Sequence, residues 1–393
     1  MKNTWIKTLA GISAAGVMTI SQTASADYGK LLETLRDNGT ITAEQAEGLK
    51  AQRVRPANSF VRDLQIRGRV QTQFGYTTTD NDEGSSDYST FEVRRARIGL
   101  RGTFPNDLRA QLEANLVPGS SLSMRSAFLQ WRKHKPAYIK VGFDKPHSSL
   151  EENTSSAEII TVERTLISNT VAAPGPMTGF AVDGDLGTIY YGAGVYTDQD
   201  NSNAANASSD YLVNLHLGVK LDGLVGEGSK LRIQGSYLTS DDESGSLAYE
   251  DVYTLALHFA QGAFDLRTEY ILGDNDGEET SGFYIMPSLM LSNKLQGVVR
   301  YEYAESDKAT GLRAASRYAR RSEDLAVRDA TETSPKFDPQ RGDEYQAVYL
   351  GLNYYIQGDG NKVMLGIEFS ELDNTYAGTL EATTLYAAWR ALF

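Results

Sequence analysis

Basic side chains are the residues of this sequence whose clustering bears most directly on chemistry. Between Val93 and Pro146 the chain carries eleven Arg and Lys residues against three acidic ones, although its formal net charge is −13. A guanidinium group can donate paired hydrogen bonds to a carboxylate or a phosphate. This segment therefore predicts a site for small anions.

The other residue types argue against enzymatic and metal chemistry. Cysteine is absent, and the four histidines (His134, His147, His216 and His258) are too far apart in sequence to form a helical metal-ligand pair. No Ser-His-Asp set and no carboxylate pair of defined separation can be read from the sequence. We therefore predict a protein that is not an enzyme and has no metal or cofactor. Its acidic charge also argues against nucleic acid as a partner.

Residues 1–26 are predicted to be a cleavable signal peptide. Lys2 and Lys7 precede a short apolar run, Thr8 to Ile20, which is followed by the small-residue triplet Ala24-Ser25-Ala26. This run is shorter than the roughly 20 apolar residues that a helix needs to cross a bilayer. We therefore expect an exported chain whose mature form begins at Asp27.

Residues 27–59 predict a helical hairpin and a linker. Leu31 and Leu35 recur at helical spacing, Asn38-Gly39 interrupts the pattern, and Thr42 with Gln45 forms a capping box for a second short helix. The linker from residue 53 to 59 contains Pro56.

From Phe60 onward the apolar residues recur every second position. Such a period places one set of side chains on one face of a strand and the other set on the opposite face. In the first run, the apolar or small set Leu64, Ile66, Gly68, Val70, Thr72 and Phe74 alternates with the polar set Gln65, Arg67, Arg69, Gln71 and Gln73.

About sixteen such runs, most of them about 9 to 13 residues long, fill residues 60–393. Short turns such as Pro105-Asn106-Asp107 alternate with longer acidic links such as residues 240–249. Strand lengths and links of this kind are typical of an antiparallel transmembrane β-barrel. A soluble β-sandwich is the alternative, but its strands are shorter and its core would not accept so many arginines. We therefore predict an all-β fold, a barrel of about sixteen strands.

Arginines occupy the face opposite to the apolar one on many of these runs. Two interpretations fit this pattern: the arginines attract anions into the lumen, or they solvate the lumen and brace loops through ion pairs. The predicted inward arginines are Arg67, Arg69, Arg95, Arg97, Arg101, Arg109, Arg232, Arg267, Arg300 and Arg390.

A second group of arginines lies in the long link at residues 305–343. Arg313, Arg317, Arg320 and Arg321 fall at roughly helical spacing. They predict either a loop helix that draws anions to the mouth of the barrel or an ion-paired lid.

The final run ends in an alternating aromatic strand. Trp389 and the terminal Phe393 share one parity with small and apolar residues. A terminal Phe in such a strand resembles the assembly signal of outer-membrane barrel proteins.

Two motifs make the sequence resemble one family. VRRARIGLRGTF (93–104) and AFLQWRKHKPAYIKVGFDKPHSSLEENTSSAEIITVER, which ends at Arg164, resemble the phosphate-selective porin (porin O and P) family. Residues 351–355 followed by a Gly-Asp-Gly turn resemble the penultimate hairpin of the family, and the resemblance covers essentially the whole mature chain. His147 stands where members commonly have Phe.

The resemblance implies a sixteen-stranded barrel of the bacterial outer membrane, usually a trimer, with a loop within 144–177 folded inward to narrow the pore. It implies that Lys145, Ser148 and Ser149 help to hold the anion. The arginines that guide the anion would include Arg95, Arg97 and Arg101.

We therefore predict a passive outer-membrane porin for small anions, with inorganic phosphate as the leading candidate. Its expected partners are such anions, outer-membrane lipid and lipopolysaccharide, and further copies of itself in a homotrimer. The alternatives are a general or carbohydrate diffusion porin of the same fold and a structural or adhesive envelope protein whose barrel is plugged.

Overall fold

The computed structural model describes residues 61–81, 84–197, 211–240, 247–313, 318–319, 341–376 and 378–393. The predicted signal peptide (1–26) and the helical hairpin with its linker (27–59) lie outside the described residues. So do Arg317, Arg320 and Arg321 of the arginine-rich link.

Sixteen antiparallel strands close into a barrel in which each strand pairs with its neighbours along the chain and the first strand pairs with the last. The barrel strands are β1 (Asp63–Asn81), β2 (Gly84–Thr103), β3 (Leu108–Asn115), β4 (Ser123–His134), β5 (Ala137–Asp144), β6 (Met177–Asp185), β7 (Ile189–Thr197), β8 (Tyr211–Lys220), β9 (Lys230–Ser240), β10 (Asp251–Gln261), β11 (Phe264–Asn275), β12 (Glu278–Met290), β13 (Leu295–Ser306), β16 (Glu344–Gln357), β17 (Asn361–Asn374) and β18 (Gly378–Leu392). This arrangement confirms the predicted fold class.

Outside the barrel wall, β14 (Leu312–Arg313) and β15 (Arg341–Gly342) form a small separate hairpin. Single 3-10 turns lie at Pro105–Asp107 and Asp222–Leu224. None of the helices within the described residues is long and apolar enough to cross a membrane.

The burial pattern of the strands is the reverse of that in a soluble protein. In β1, Leu64 and Val70 are 45% and 40% exposed, whereas the alternating Gln71 and Gln73 are each only 2% exposed. Large apolar side chains are exposed in the same way around the rest of the wall. An apolar exterior around a polar interior is the arrangement that lipid requires of a barrel.

The seam between β1 and β18 closes the barrel at the C-terminus. The backbone N–H of Gly68 donates to the carbonyl of Phe393 (2.7 Å), and the N–H of Phe393 donates to the carbonyl of Gly68 (3.1 Å). A Cβ atom at Gly68 would lie 2.2 Å from the Phe393 ring, so any other residue at this position would require the ring to shift. Trp389 faces outward, and its Nε1 donates to Asn361 Oδ1 (2.8 Å). The assembly role of these two aromatic residues stays a prediction.

Two bulges interrupt the ladder between the first strands. The β1–β2 register shifts between Gln71 and Thr72 and leaves Arg94 without a partner in β1. The β3–β4 register shifts between Glu113 and Ala114 and leaves Arg125 without a partner in β3. Because a bulge inserts one residue into one strand, it reverses the alternation locally and changes the side to which a side chain points.

Residues 145–176, here called the internal loop, connect β5 to β6 through the interior of the barrel. The loop contains the short helices α1 (Leu150–Asn153) and α2 (Leu166–Thr170). Its apolar side chains pack against the inner faces of β8 to β13 and β16 to β18, and Val162 and Ile167 are completely buried. The barrel therefore has a hydrophobic core along one side of its lumen.

Arg390 of β18 and Arg300 of β13 satisfy carbonyl groups of this loop. Arg390 donates to the carbonyls of Ile159 (3.2 Å), Thr161 (3.2 Å) and Val162 (2.7 Å). Arg300 donates to the carbonyl of the next residue, Glu163 (2.9 Å). Both residues are only 1% exposed, so their guanidinium groups bind the loop carbonyls where water cannot reach them.

Carboxylates on the same wall satisfy N–H groups at the starts of the two helices. Glu269 of β11 accepts from the N–H of Leu150 (2.7 Å) and of Glu151 (3.2 Å). Glu302 of β13 accepts from the N–H of Leu166 (3.2 Å). These contacts fix the loop to β11, β13 and β18. Further hydrogen bonds join the loop to β1 and β2, and a cavity remains beside β1 to β8.

Replacing Arg390 by Met is expected to lower the free energy of unfolding by about 3 kcal/mol, because buried carbonyls lose their donor. Urea titration of the barrel in lipid vesicles, followed by tryptophan fluorescence, would measure this change.

Arg67→Met is the matched control, since Arg67 also faces the lumen but is exposed. We expect it to change the free energy of unfolding by less than about 0.5 kcal/mol. An equal loss in both variants would show that Arg390 does not hold the loop.

Candidate functional site

A cavity of about 820 Å³ lies between strands β1 to β8 and the internal loop. Nine basic side chains line it, against five acidic ones. The basic residues are Arg67, Arg69, Arg94, Arg95, Arg97, Arg125, Lys140, Lys145 and Arg164. The cavity is therefore a positively charged space, suited to an anion.

Two arginines face each other across the β1–β2 ladder on the cavity wall. Arg69 and Arg97 are direct cross-strand partners. Arg69 donates to Ser156 Oγ (2.5 Å), and Arg97 donates to Asn115 Oδ1 (2.9 Å) and lies 3.5 Å from the Glu113 carboxylate. Like charges directly opposite each other on a sheet are destabilising. An anion between them would offset that repulsion.

Three further arginines of this wall have no carboxylate partner within the described residues. Arg95 donates to the neutral Gln71 Oε1 (3.1 Å). The side chains of Arg67 and Arg125 make no hydrogen bond or ion pair with any residue that the structure describes. Their donors are therefore available to a solute in the cavity.

The internal loop contributes a cluster of charges on the other side of the cavity. Lys145 forms an ion pair with Glu152, and Arg164 Nε lies 3.4 Å from the other oxygen of the same carboxylate. Burial lowers the pKa of Lys145 to about 8, although Glu152 acts in the opposite direction. Burial alone would raise the pKa of Glu152. The positive charges of Lys145 and Arg164 lower this pKa by more than burial raises it, so the net shift is downward. At neutral pH this cluster contains two cations and one anion.

Ser148 and Ser149 do not line this cavity, although the family resemblance assigns them to an anion site with Lys145. Both are completely buried. Ser149 Oγ accepts from the N–H of Glu152 (3.0 Å) and caps α1. The Ser148 carbonyl accepts from the Thr254 hydroxyl (3.1 Å), and its own hydroxyl has no partner within the described residues. Of the three residues, only Lys145 reaches the cavity.

The remaining predicted arginines lie elsewhere on the inner face. Arg101 donates to Gln111 Oε1 (2.9 and 2.6 Å), toward the short turn at Pro105–Asp107, and Arg109 lies in the adjacent strand. Arg232 lies 3.9 Å from Asp222, and Arg267 donates to Asp265 (2.9 Å). None of these four lines the cavity.

Arg300 differs from the expectation that it faces the pore. It is buried beneath the internal loop and donates to Glu368 Oε2 (2.8 Å) as well as to the loop. Its role is that of a brace, and so is the role of Arg390. Arg300 and Arg390 thus fit the interpretation in which inward arginines brace the loop. Arg67, Arg69 and Arg95 line the cavity, and their attraction of anions stays a prediction.

Four cavity cations were absent from the predicted list of inward residues, namely Arg94, Arg125, Lys140 and Arg164. Strict alternation from Arg95 places Arg94 on the lipid face, but the bulge turns it inward, where it pairs with Glu163 (2.8 Å). Although desolvation would raise the pKa of the half-buried Glu163 carboxyl, Arg94 holds this pKa far below its usual range. The sequence signal for this bulge was the pair of consecutive arginines, Arg94 and Arg95, in one strand. Under strict alternation one of the two would face lipid.

His147 packs against His216 on the cavity wall. The two rings are stacked with centroids 4.1 Å apart, and His147 Nδ1 lies 3.2 Å from Ser236 Oγ. Burial lowers the pKa of His147 to about 3, so the ring is neutral. Within the described ranges, no group of three His, Asp or Glu side chains is arranged to hold a metal ion.

Comparisons with known proteins agree with this architecture. The model of the family described as phosphate-selective porin O and P matches residues 64–391. No match to the chain was found among curated protein sequences.

Several solved structures share the fold. One is a loop L8 deletion mutant of OmpT, an outer membrane protein of Vibrio cholerae (TM-score 0.54, 12% identity, 84% of this chain and 99% of that chain). Another is the outer membrane channel DcaP of Acinetobacter baumannii (0.53, 14%, 84% and 97%). A third is an anion-selective porin from Comamonas acidovorans (0.54, 13%, 84% and 99%). At these identities the likeness shows the fold alone.

We expect Lys145 to titrate with a midpoint of about 8, because burial destabilises its charged form. The cavity then loses one positive charge as the pH rises through this value. Reductive methylation with ¹³C-formaldehyde followed by NMR would report the midpoint.

Lys145→Arg is the control, since it should remove this signal and no other. Ordinary lysines titrate near about 10.4, so a midpoint of Lys145 in that range would contradict the prediction.

Proposed function

Because the chain belongs to the phosphate-selective porin O and P family, it is an outer-membrane porin, and we propose that its pore passes small anions, with phosphate as the leading candidate. Passage is passive, and the protein is not an enzyme.

The observation that carries this proposal is the unbalanced positive charge of the cavity wall. Arg67, Arg69, Arg95 and Arg125 line the cavity without a carboxylate partner among the described residues. The internal loop occupies the opposite side of the lumen. A solute that enters the open side therefore passes the arginines at short range.

The mechanism we propose is a series of weak electrostatic sites. The guanidinium groups replace part of the hydration shell of the anion, and no single site is strong enough to retain it. Arg67, Arg101 and Arg109 extend the basic surface from the cavity toward the short turn at Pro105–Asp107. An anion can thus exchange one guanidinium for the next along the wall.

On the loop side, we propose that Lys145 and Arg164 contact the anion. Both line the cavity. The buried position of Ser148 and Ser149 supports a structural role for these two residues, in which they fix the backbone of α1.

We also propose that the protein is a homotrimer in contact with outer-membrane lipid and lipopolysaccharide. The apolar exterior suits lipid, and one similar structure is a trimer form of OmpT from Vibrio cholerae (TM-score 0.53, 12% identity). Cross-linking of the protein in vesicles would test the assembly.

A general or carbohydrate diffusion porin is the second candidate. The cavity volume of about 820 Å³ is large enough for solutes bigger than phosphate. This candidate predicts weak selectivity and block of the current by saccharides. A structural or adhesive protein would show negligible conductance.

We expect an anion-selective reversal potential in a planar bilayer under a chloride gradient, with chloride current that phosphate blocks. Arg97→Gln and Arg125→Gln should each lower the anion-to-cation permeability ratio by about twofold, since each removes one charge from the wall.

Arg62→Gln is the matched control, because Arg62 is exposed and lies outside the cavity. A potential near zero in the unmodified protein, with saccharide block, would contradict anion preference and favour the second candidate. Absence of conductance would favour the adhesive protein.

A further inference from the structure

We propose that the cavity binds phosphorylated sugars, with the phosphate group at the arginines of β1 to β4 and the sugar ring at the adjoining wall of β6 to β8. This inference rests on the proposed function, because it names the class of anion that the same cavity takes. The two walls differ in their charge, in their aromatic side chains and in the hydrogen-bonding groups that they offer to a solute.

The first support is the charge of β5 to β8, which together carry two lysines and three aspartates. Lys140 forms an ion pair with Asp144 (2.9 Å), and Lys220 forms one with Asp185 (2.9 Å). The third aspartate, Asp183, pairs with neither a lysine nor an arginine among the described residues. This wall therefore repels a negatively charged group and accepts the uncharged part of a solute.

The second support is the open carboxylate of Asp183, which lines the cavity on β6. Its side chain is 34% exposed, and His216 Nε2 lies 3.8 Å from its Oδ1, which is too long for a hydrogen bond. An ionised carboxylate only accepts hydrogen bonds, and those from hydroxyl groups are short and strong. Adjacent hydroxyls of a sugar ring supply such donors.

The third support is an aromatic surface beside Asp183. A Cβ atom at Gly218 would lie 2.1 Å from the Tyr190 ring, and one at Gly192 would lie 2.1 Å from the His216 ring. Gly192 is the cross-strand partner of both Asp183 and His216. The two rings therefore lie along the wall over neighbouring strands. The C–H face of a sugar can pack on such a surface while its hydroxyls bind the carboxylate.

Tyr190 is held in position without a solute. Its hydroxyl donates to Gln234 Oε1 (2.9 Å), and Lys220 Nζ lies 5.6 Å from the centroid of its ring. A side chain that is already ordered loses little conformational entropy when a ligand binds.

The size of the cavity suits a solute with two parts. One continuous space of about 820 Å³ is lined by both Arg125 and Asp183, and sites for small organic ligands have volumes of roughly 300–1,000 Å³. Inorganic phosphate would contact only the basic wall, whereas a phosphorylated sugar contacts both walls at once.

Block of the chloride current in a planar bilayer tests the proposal with four probes. Glucose 6-phosphate should half-block the current at a concentration about fivefold lower than inorganic phosphate, because its hydroxyls bind Asp183. Phenyl phosphate has a ring without hydroxyls and should block at most about twofold better than inorganic phosphate. Glucose, which lacks the charge, should need a concentration at least about tenfold higher than glucose 6-phosphate.

Asp183→Asn and Tyr190→Leu should each raise the ratio of half-blocking concentrations, glucose 6-phosphate over inorganic phosphate, by about fivefold. The ratio is informative because the change in wall charge acts on the phosphate group of both probes. Tyr190→Phe keeps the ring over Gly218 and should leave the ratio within twofold of the unmodified protein. A purely structural role of Tyr190 would not change the ratio in folded Tyr190→Leu.

Asp87→Asn is the matched control. Asp87 lies on β2, is exposed and does not line the cavity, so this variant removes the same charge elsewhere and should keep the ratio within twofold. Folding of each variant is checked by the gel shift between heated and unheated protein. Asp183→Asn keeps the size of the side chain and serves as the second variant if Tyr190→Leu does not fold.

Two results would overturn the inference and leave the proposed function in place, provided that the unmodified protein is anion-selective and blocked by inorganic phosphate. One is glucose 6-phosphate that blocks no better than phenyl phosphate, and the other is an unchanged ratio in folded Asp183→Asn and Tyr190→Leu. An unmodified protein that is neither anion-selective nor blocked by any of the phosphates would overturn the proposed function itself, and the inference with it.

Discussion

The structure depends on hydrogen-bond partners for the backbone N–H and C=O groups of the internal loop inside the barrel. A peptide segment that leaves the wall loses the hydrogen bonds of the ladder, and its apolar packing partners cannot replace them. Arg390 and Arg300 supply the donors, and Glu269 and Glu302 supply the acceptors. These four charged residues lie on β11 to β18. They hold most of the loop against that wall, and the basic cavity lies beside β1 to β8.

This arrangement separates two uses of the same residue type. Arg390 is 1% exposed, and its guanidinium group donates hydrogen bonds to carbonyls of the internal loop. Arg67 is exposed to the cavity, and no described residue binds it. A buried guanidinium group with fixed partners has a structural role. An exposed guanidinium group without protein partners is able to bind an anion and release it. The position of the loop thus decides which arginines are buried with fixed partners and which line the cavity.

The bulges and the ion pairs together determine how many unpaired positive charges line the cavity. Arg94 and Arg125 enter the lumen only because the ladder shifts by one residue at each of them. Arg94 is then paired with Glu163, whereas Arg125 is left without a described partner. Glu152 offsets Lys145 and Arg164 on the loop side. The cavity is therefore basic, although ion pairs neutralise part of its charge.

The barrel, its strand number and the identity of its two faces were predictable from the sequence, because a period of two and the exclusion of charge from lipid act locally along each strand. Arg67 and Arg69 were assigned to the inner face on that basis. The burial of Ser148 and Arg300 was not predictable, since both depend on where the internal loop lies. Only the tertiary structure could decide this, because contacts between the loop and strands more than a hundred residues later determine which inward side chains meet water.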